Sequence, residues 1–223
     1  MRLALFDLDN TLIAGDSDHA WGEFLCANGY VDEAAYRAKN DEFYQQYEAG
    51  ELDVHAYLEF SLQALVGKDP ETLNQWHQQF MRDCIAPIML PTASDLLEYH
   101  RERGDRLMVI TSTQRFIVEP IVKALGVDLL IATEAERDAD GRFTGKVSGT
   151  PSFREGKIER LKDWLLHGSL GQQFPLSDAC FYSDSINDLP LMEVVGEAIA
   201  VDPDEALAAE ADKRGWKIIT LRG

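Results

Sequence analysis

The stretch from Leu3 to Leu12 reads Leu-Ala-Leu-Phe-Asp-Leu-Asp-Asn-Thr-Leu, and it decides the predicted fold of this 223-residue chain. Four apolar residues run directly into Asp7, a pattern typical of a parallel strand that is buried on both faces. Asp9 and Thr11 follow at alternate positions. Because a buried carboxylate is costly unless it is paired or bound to a metal, two carboxylates where a buried strand ends indicate a divalent-cation site. The alternative is a polar loop that merely leaves the strand.

The rest of the chain alternates short apolar runs with helical patterns, at the spacing of βαβ units. This spacing predicts an α/β fold, namely a Rossmann-like parallel sheet with helices on both faces. We predict strands at 106–110, 128–133, 179–182, 198–201 and 217–221, helices at 92–103, 115–125, 155–167 and 203–214, a hairpin around Asp140-Gly141, and a loop at 169–178.

A long helical segment interrupts this alternation directly after the first strand. From His19 to about Asp83 the pattern is helical, with aromatic stripes that are explained by packing between helices. We expect the first of these helices to be capped near Ser17 or Asp18. The predicted organisation is a helical-bundle cap at 15–85 inserted into an α/β catalytic core formed by 1–14 and 86–223.

The composition excludes several classes of protein. With a net charge of −18, the chain repels nucleic acid and anionic membranes, so we expect neither as a partner. No apolar run approaches the ~20 residues of a membrane span. The three scattered cysteines, Cys26, Cys84 and Cys180, fit neither a disulfide framework nor a zinc site, and we expect buried thiols in a reducing cytoplasm. No exposed apolar stripe demands a partner chain, so we expect a monomer or a weak dimer.

Polar clusters follow three of the predicted strands, and one helix between them carries a lysine. The clusters are Asp7/Asp9, Thr111/Ser112 and Asp184/Asn187/Asp188, and the lysine is Lys157. Because the carboxyl ends of parallel strands meet at one edge of a sheet, we expect these groups to lie together. Asp7, Asp9 and Asp184 would supply oxygen ligands for Mg²⁺. Thr111 and Lys157 would bind and orient phosphoryl oxygens.

These motifs resemble those of the haloacid dehalogenase-like hydrolases, chiefly the phosphatases of that superfamily. The matching stretches are FDLDNTL at 6–12, Ile110-Thr111, Lys157 and YSDSINDLPLM at 182–192, the last in the form shared with phosphoserine phosphatases. The helical segment after the first strand is similar to the cap of that group. GDSDHAW at 15–21 and the Lys213-Arg214-Gly215-Trp216 tail are most similar to the bacterial histidinol-phosphate phosphatases of this superfamily.

The resemblance implies a covalent mechanism. Asp7 would form an aspartyl-phosphate, and Asp9 would serve as general acid and then as general base. Mg²⁺ would be held by the Asp7 carboxylate, the Asp9 backbone carbonyl and Asp184, while Asp188 would orient the metal's water or Lys157. The cap would close over the substrate. The expected substrate-binding residues are Asp16, Thr111, Ser112, Lys157 and Asn187.

The charge of the insertion bears on the substrate. Asp16 stands where the phosphoserine enzymes have a Glu for the substrate amine, and the segment from Asp16 to Asp83 carries 14 Asp and Glu against 4 Lys and Arg. Such an excess favours a cationic leaving group, although the acids could equally form a solvated face. We therefore expect a Mg²⁺-dependent phosphomonoesterase acting on a small amine-bearing metabolite, with histidinol phosphate favoured.

Three other functions are weighed against this one. Phosphoserine phosphatase is the alternative within the same enzyme class. Dehalogenation is disfavoured because it needs neither Asp9 nor a metal. A phospho-receiver signalling module uses the same chemical groups, but such modules are usually about half this length and lack a helical insertion.

Overall fold

The computed structural model describes residues 2–49, 51–167 and 174–222. Within them the strands form one sheet in the order β4-β3-β2-β1-β5-β6-β7. Their bounds are β1 Leu3–Phe6, β2 Arg106–Gln114, β3 Leu129–Arg137, β4 Phe143–Ser148, β5 Cys180–Ser183, β6 Glu197–Val201 and β7 Lys217–Ile219. The β3–β4 pair is antiparallel, and all other neighbouring pairs are parallel. The predicted Rossmann-like α/β fold is therefore confirmed.

Helices cover both faces of the sheet. Their bounds are α1 Ser17–Ala27, α2 Glu33–Glu48, α3 Val54–Gln63, α4 Pro70–Phe80, α5 Pro91–Glu102, α6 Arg115–Ala124, α7 Glu155–His167, α8 Leu189–Met192 and α9 Glu205–Arg214. Successive side chains of a strand point to opposite faces, so β1 contributes to two separate apolar clusters. Phe6 belongs to the apolar cluster that includes residues of α1, α4, α5 and α6. Leu5 belongs to the apolar cluster that includes residues of α7, α8 and α9.

The central position of β1 explains why its sequence is apolar without interruption. It lies between β2 and β5, and all four of its residues are buried. Phe6 is in register with Val109 of β2 and with Tyr182 of β5, and the Asp7 amide donates to the Tyr182 carbonyl oxygen over 2.9 Å. The residues that follow these three strands are thereby brought to the same edge of the sheet.

Several predicted boundaries differ from the observed ones. β2 continues to Gln114 instead of ending at 110, because its β-branched threonines fit an extended backbone, and its pairing with β3 shifts register after Ile110. β7 ends at Ile219 rather than 221. Of the loop predicted at 169–178, residues 168–173 lie outside the described part, and Leu176–Asp178 form a short 3₁₀ helix.

Two predictions about individual side chains also need correction. The cap of α1 is Asp16 and not Ser17 or Asp18, because its carboxylate accepts from the amides of Asp18 and His19. Cys84 is partly exposed, whereas Cys26 and Cys180 are buried as predicted. Cys84 lies in the irregular π-helical turn Met81–Ile85, where the chain leaves the helical insertion.

Helices α1 to α4 form the helical insertion that follows β1 in the chain. Its entry and exit segments lie side by side, since Ile13 forms a bridge with Met89 and the Ala14 amide donates to the Ile88 carbonyl oxygen over 2.8 Å. No helix in the three described ranges is long and apolar enough to span a bilayer.

The helical insertion also contacts the β3–β4 hairpin. Gly145 of β4 has a φ of +84°, and a Cβ at this position would lie 2.4 Å from Gln63 Nε2 and 2.9 Å from Val66 Cγ2. The missing side chain therefore allows α3 and the residues that follow it to approach the hairpin closely. Gly141 in the same hairpin also has a positive φ, of +78°, but its added Cβ would meet nothing within 4 Å.

We predict that Gly145→Ala lowers the free energy of unfolding more than Gly141→Ala does. Both substitutions force an L-residue into left-handed backbone, but only the first adds overlap with the insertion. The exposed end of Gln63 can move aside, whereas the overlap with Val66 Cγ2 costs roughly 1 kcal/mol. Urea unfolding of the two variants and the unsubstituted protein measures the difference. Equal losses in both variants would show that the contact between α3 and β4 does not constrain the fold.

Candidate active site

A buried ion-pair network stands at the carboxyl end of the central strands. The Lys157 ammonium lies 2.8 Å from Asp7 Oδ1 and 2.6 Å from Asp188 Oδ1, and all three residues are buried. Although burial disfavours the charged ammonium, the carboxylates of Asp188 and Asp7 raise the pKa of Lys157 above its usual value. The lysine therefore carries a permanent positive charge between the first and the last polar cluster.

The loop after β5 is organised by its own side chains. Ser183 Oγ donates to Asp188 Oδ2 over 2.6 Å, which holds the carboxylate beside Lys157. Thr11 Oγ1 donates to Asp184 Oδ1 over 2.9 Å and so joins this loop to the segment after β1. The predicted meeting of the first and last polar clusters is thus seen directly in hydrogen bonds.

Asp9 is held by donors from two elements. Its Oδ1 accepts from the Ser17 amide at the start of α1 over 2.7 Å. Its Oδ2 accepts from Thr113 Oγ1 over 2.8 Å and, more weakly, from Thr111 Oγ1 over 3.4 Å. Burial, and next the neighbouring Asp16 charge, raise the pKa of Asp9 to about 6. A carboxyl group whose pKa lies near neutrality can both give and take a proton under ordinary conditions.

The acids around Lys157 fit a divalent cation. Burial raises the pKa of Asp7 well above its usual value and that of Asp184 to about 7. One lysine faces three carboxylates here, and Asp7 Oδ2 and Asp184 Oδ2 accept from no donor among the described residues. Asp7 is buried and Asp184 is half-buried, and carboxylates so placed without a full counter-charge favour a further positive charge. No trio of His, Cys, Asp or Glu in the described ranges forms a complete metal cluster, but Mg²⁺ needs only one or two carboxylates.

Of the five residues expected to bind substrate, two lie in the cluster just described and three make other contacts. Thr111 and Lys157 lie within the cluster just described. Ser112 is partly buried, and its backbone carbonyl accepts from Thr133 Oγ1 over 2.7 Å. Asn187 Oδ1 accepts from Arg154 Nε over 2.9 Å, so the asparagine orients an arginine. The Asp16 carboxylate is occupied in part by the capping of α1.

Sequence reasoning missed several groups of the site. Thr113 shares one face of β2 with Thr111, and the two-residue period of a strand could have identified it once β2 was extended past Ile110. Arg154 has a φ of +50°, and its approach to Asn187 has no signal in the sequence. Tyr47 of α2 brings its hydroxyl to 3.2 Å from Ser185 Oγ, whereas the sequence predicts that the aromatic stripe to which it belongs packs between helices.

A comparison with known protein families places the chain. Residues 4–193 match the profile described as haloacid dehalogenase-like hydrolase, which covers the first strand, the helical insertion and the loop after β5. The chain belongs to the haloacid dehalogenase-like hydrolases. As a phosphatase of this family it acts on phosphate esters.

Individual relatives span the whole length of this hydrolase. A histidinol-phosphatase of Neisseria meningitidis serogroup C is 44% identical over 222 residues, which are 99% of each chain. A probable phosphatase of Mycobacterium tuberculosis is 32% identical over 220 residues, 98% of this chain and 75% of the relative.

Solved structures agree with the fold. The crystal structure of a Bordetella pertussis Tohama I protein of unknown function has a TM-score of 0.90 at 44% identity, covering 99% of this hydrolase and 98% of that chain. A substrate-bound phosphoserine phosphatase has a TM-score of 0.70 at 20% identity, covering 98% of this hydrolase and 92% of that chain. At that identity the second comparison supports the fold alone.

We predict that Lys157→Met destabilises the metal-free protein far more than Asp7→Asn does. Losing the ammonium leaves two buried carboxylates without a counter-charge, which costs roughly 3–5 kcal/mol. Losing the Asp7 charge leaves Lys157 still paired with Asp188. Urea unfolding in EDTA at pH 7 gives both values. If the two variants were equally stable, the buried ion-pair network would not exist as described.

Proposed function

We propose that this hydrolase is a Mg²⁺-dependent phosphomonoesterase that acts through an aspartyl-phosphate on Asp7, and that its substrate is histidinol phosphate. One observation carries the proposal. Three long-range contacts bring the acids and the lysine of the site to the carboxyl edge of β1, β2 and β5. Lys157 donates to Asp7, Thr11 donates to Asp184, and Thr113 donates to Asp9.

The reaction divides into two displacements. In the first, a carboxylate oxygen of Asp7 attacks phosphorus, the bond from phosphorus to the ester oxygen breaks, and protonated Asp9 gives its proton to the departing alkoxide. In the second, Asp9 takes a proton from water, the water oxygen attacks phosphorus, and the bond to Asp7 breaks to release phosphate. Asp9 ends protonated, ready for the next cycle.

The surrounding groups keep the charges in place. Lys157 orients Asp7 and offsets negative charge on the phosphoryl group, with Thr111 as a neighbouring hydroxyl donor. The Asp7 carboxylate, the Asp9 backbone carbonyl and Asp184 would hold Mg²⁺, which supplies the positive charge that lets one anion approach another. In this proposal Asp188 acts by fixing Lys157.

The helical insertion is proposed to act as a cap, comprising residues 15–85, over the core of 1–14 and 86–223. Its contact with the site supports this role, because Tyr47 of α2 meets Ser185 of the loop that carries Asp184 and Asp188. Burial raises the pKa of Tyr47 to about 12, so its hydroxyl stays neutral and can exchange hydrogen bonds with this loop. Closure over the substrate would exclude water from the first displacement.

The choice of histidinol phosphate over phosphoserine rests on where the positive charges lie. The helical insertion contains four basic residues, Arg37, Lys39, Lys68 and Arg82. Each of them already has a partner at the surface. Arg37 pairs with Glu23 and Glu33, and Lys39 pairs with Glu42. Lys68 lies over the ring of Trp76, and Arg82 pairs with Asp83. The carboxylate of serine would find no cation from the insertion, whereas the amine and imidazole of histidinol suit its acids. The 44% identical histidinol-phosphatase also supports this choice.

Cellular context is part of the same proposal. A histidinol-phosphate phosphatase would serve histidine biosynthesis, with a small phosphorylated metabolite as its partner. The cytoplasmic location and the monomeric or weakly dimeric state stay predictions from the sequence.

We expect the purified protein with Mg²⁺ to hydrolyse histidinol phosphate over many turnovers, with a kcat/KM at least about tenfold above that for phosphoserine, a difference of ~1.4 kcal/mol. EDTA should abolish turnover, and added Mg²⁺ should restore it. Steady-state phosphate release with both esters measures this. A preference for phosphoserine would refute the charge argument, and a single labelling event without turnover would indicate a phospho-receiver.

A further inference from the structure

Asp18 is a charged group near the site that the mechanism above does not use. It belongs to the first turn of α1, and its side chain reaches α3, where Ser61 Oγ donates to Asp18 Oδ1 over 3.5 Å. The Tyr57 hydroxyl, also from α3, lies near the same carboxylate. Ser61 is therefore its hydrogen-bonding side chain, and the neighbouring polar groups of α3 are neutral hydroxyls.

Gln114 connects this carboxylate to the catalytic core. Its Nε2 donates to Ser61 Oγ over 2.9 Å, at the end of the same strand that supplies Thr113 to Asp9. Because the Ser61 hydroxyl gives its single hydrogen to Asp18, it must accept from Gln114, which fixes the orientation of the amide. Gln114 Oε1 is then left without a donor among the described residues, although the residue is completely buried.

The charges around Asp18 are of one sign. The charges that act on Asp18 include those of Asp16 and Asp9, and none of the three acids forms an ion pair with a basic side chain in the described part of the chain. Burial first, and then the Asp16 charge, raise the pKa of Asp18 to about 7. The buried Gln114 Oε1 lacks a hydrogen-bond donor and the Asp18 carboxylate lacks a counter-charge. A positively charged N–H group would supply both.

We propose that Asp18 is a specificity-determining residue that binds a positively charged nitrogen of the leaving group, with Gln114 Oε1 as a second acceptor. The proposal rests on the proposed phosphatase function and deepens it. The expected substrates of the enzyme are phosphate monoesters of alcohols that bear a protonated amine or imidazole. Asp9 protonates the leaving oxygen and accepts from the amide of Ser17, the residue directly before Asp18, so a nitrogen a few bonds from that oxygen falls near Asp18.

This assignment differs from the one that the sequence suggested. Asp16 was expected to hold the substrate amine, but its Oδ1 accepts from two backbone amides at the start of α1. Among the described residues, the Asp18 carboxylate caps no helix. Ser61 can donate to its Oδ1 while a cation binds its Oδ2. Asp16 then contributes a fixed negative charge nearby.

The test compares two esters of nearly equal shape, 2-aminoethyl phosphate and n-propyl phosphate, which differ in the charge of one terminal group. We expect the ratio of their kcat/KM values to favour the amine in the unsubstituted enzyme. Asp18→Asn should lower this ratio about tenfold or more, because a charge-assisted hydrogen bond becomes a neutral one. Asp18→Glu, which keeps the charge, should recover part of the ratio.

The matched control is Asp41→Asn, which removes one acid from the exposed surface of α2 and should leave the ratio unchanged. An unchanged ratio in Asp18→Asn would overturn the proposal, and so would an equal loss on both esters, which indicates a structural role. If the unsubstituted enzyme hydrolysed no ester, the proposed function would fail. The ratio of calorimetric dissociation constants for the two esters, measured in the same three variants, would then decide on Asp18 independently.

Discussion

The ammonium of Lys157, held between Asp7 and Asp188, is the interaction on which the site depends. It ties α7 to the ends of β1 and β5, which are also joined by the sheet and by the hydrogen bond from Thr11 to Asp184. A buried ion pair of this kind adds little net stability to the fold, because desolvation offsets the attraction of the charges. Its main effect is to hold the Lys157 ammonium beside Asp7. Gly156 makes that position possible, since a Cβ there would lie 2.1 Å from the Pro151 carbonyl oxygen.

The remaining groups divide into two sets with different tasks. Those at the sheet edge, built from Asp7, Asp9, Asp184 and Lys157, suit phosphoryl transfer and would do so for any ester. In the proposed function, those of the helical insertion would face the leaving group and carry the negative charge that selects it. Such a division lets the same core serve different substrates, because changes in the insertion leave the phosphoryl site intact.

The sequence predicted the sheet because its central strands are short, apolar runs followed by polar residues, and burial leaves little freedom there. It also predicted the acids and the lysine, since strand ends of a parallel sheet must meet. It could not predict the direction of side chains in irregular segments. The sequence predicts the cap of α1 at Ser17 or Asp18, but Asp16 is the capping residue, and Arg154 approaches Asn187 through a left-handed backbone. Thr113 was missed because β2 was ended too early, at Ile110.

The central claim, that Asp7 carries the phosphoryl group, is tested most directly by mapping the covalent intermediate. The enzyme is mixed with histidinol phosphate and Mg²⁺, quenched in acid during turnover, digested, and analysed by mass spectrometry, with Asp7→Asn as the control. The account predicts a phosphorylated peptide that contains Asp7 and its absence from the control. Phosphate on a different residue, or a phosphopeptide that persists in Asp7→Asn, would contradict it.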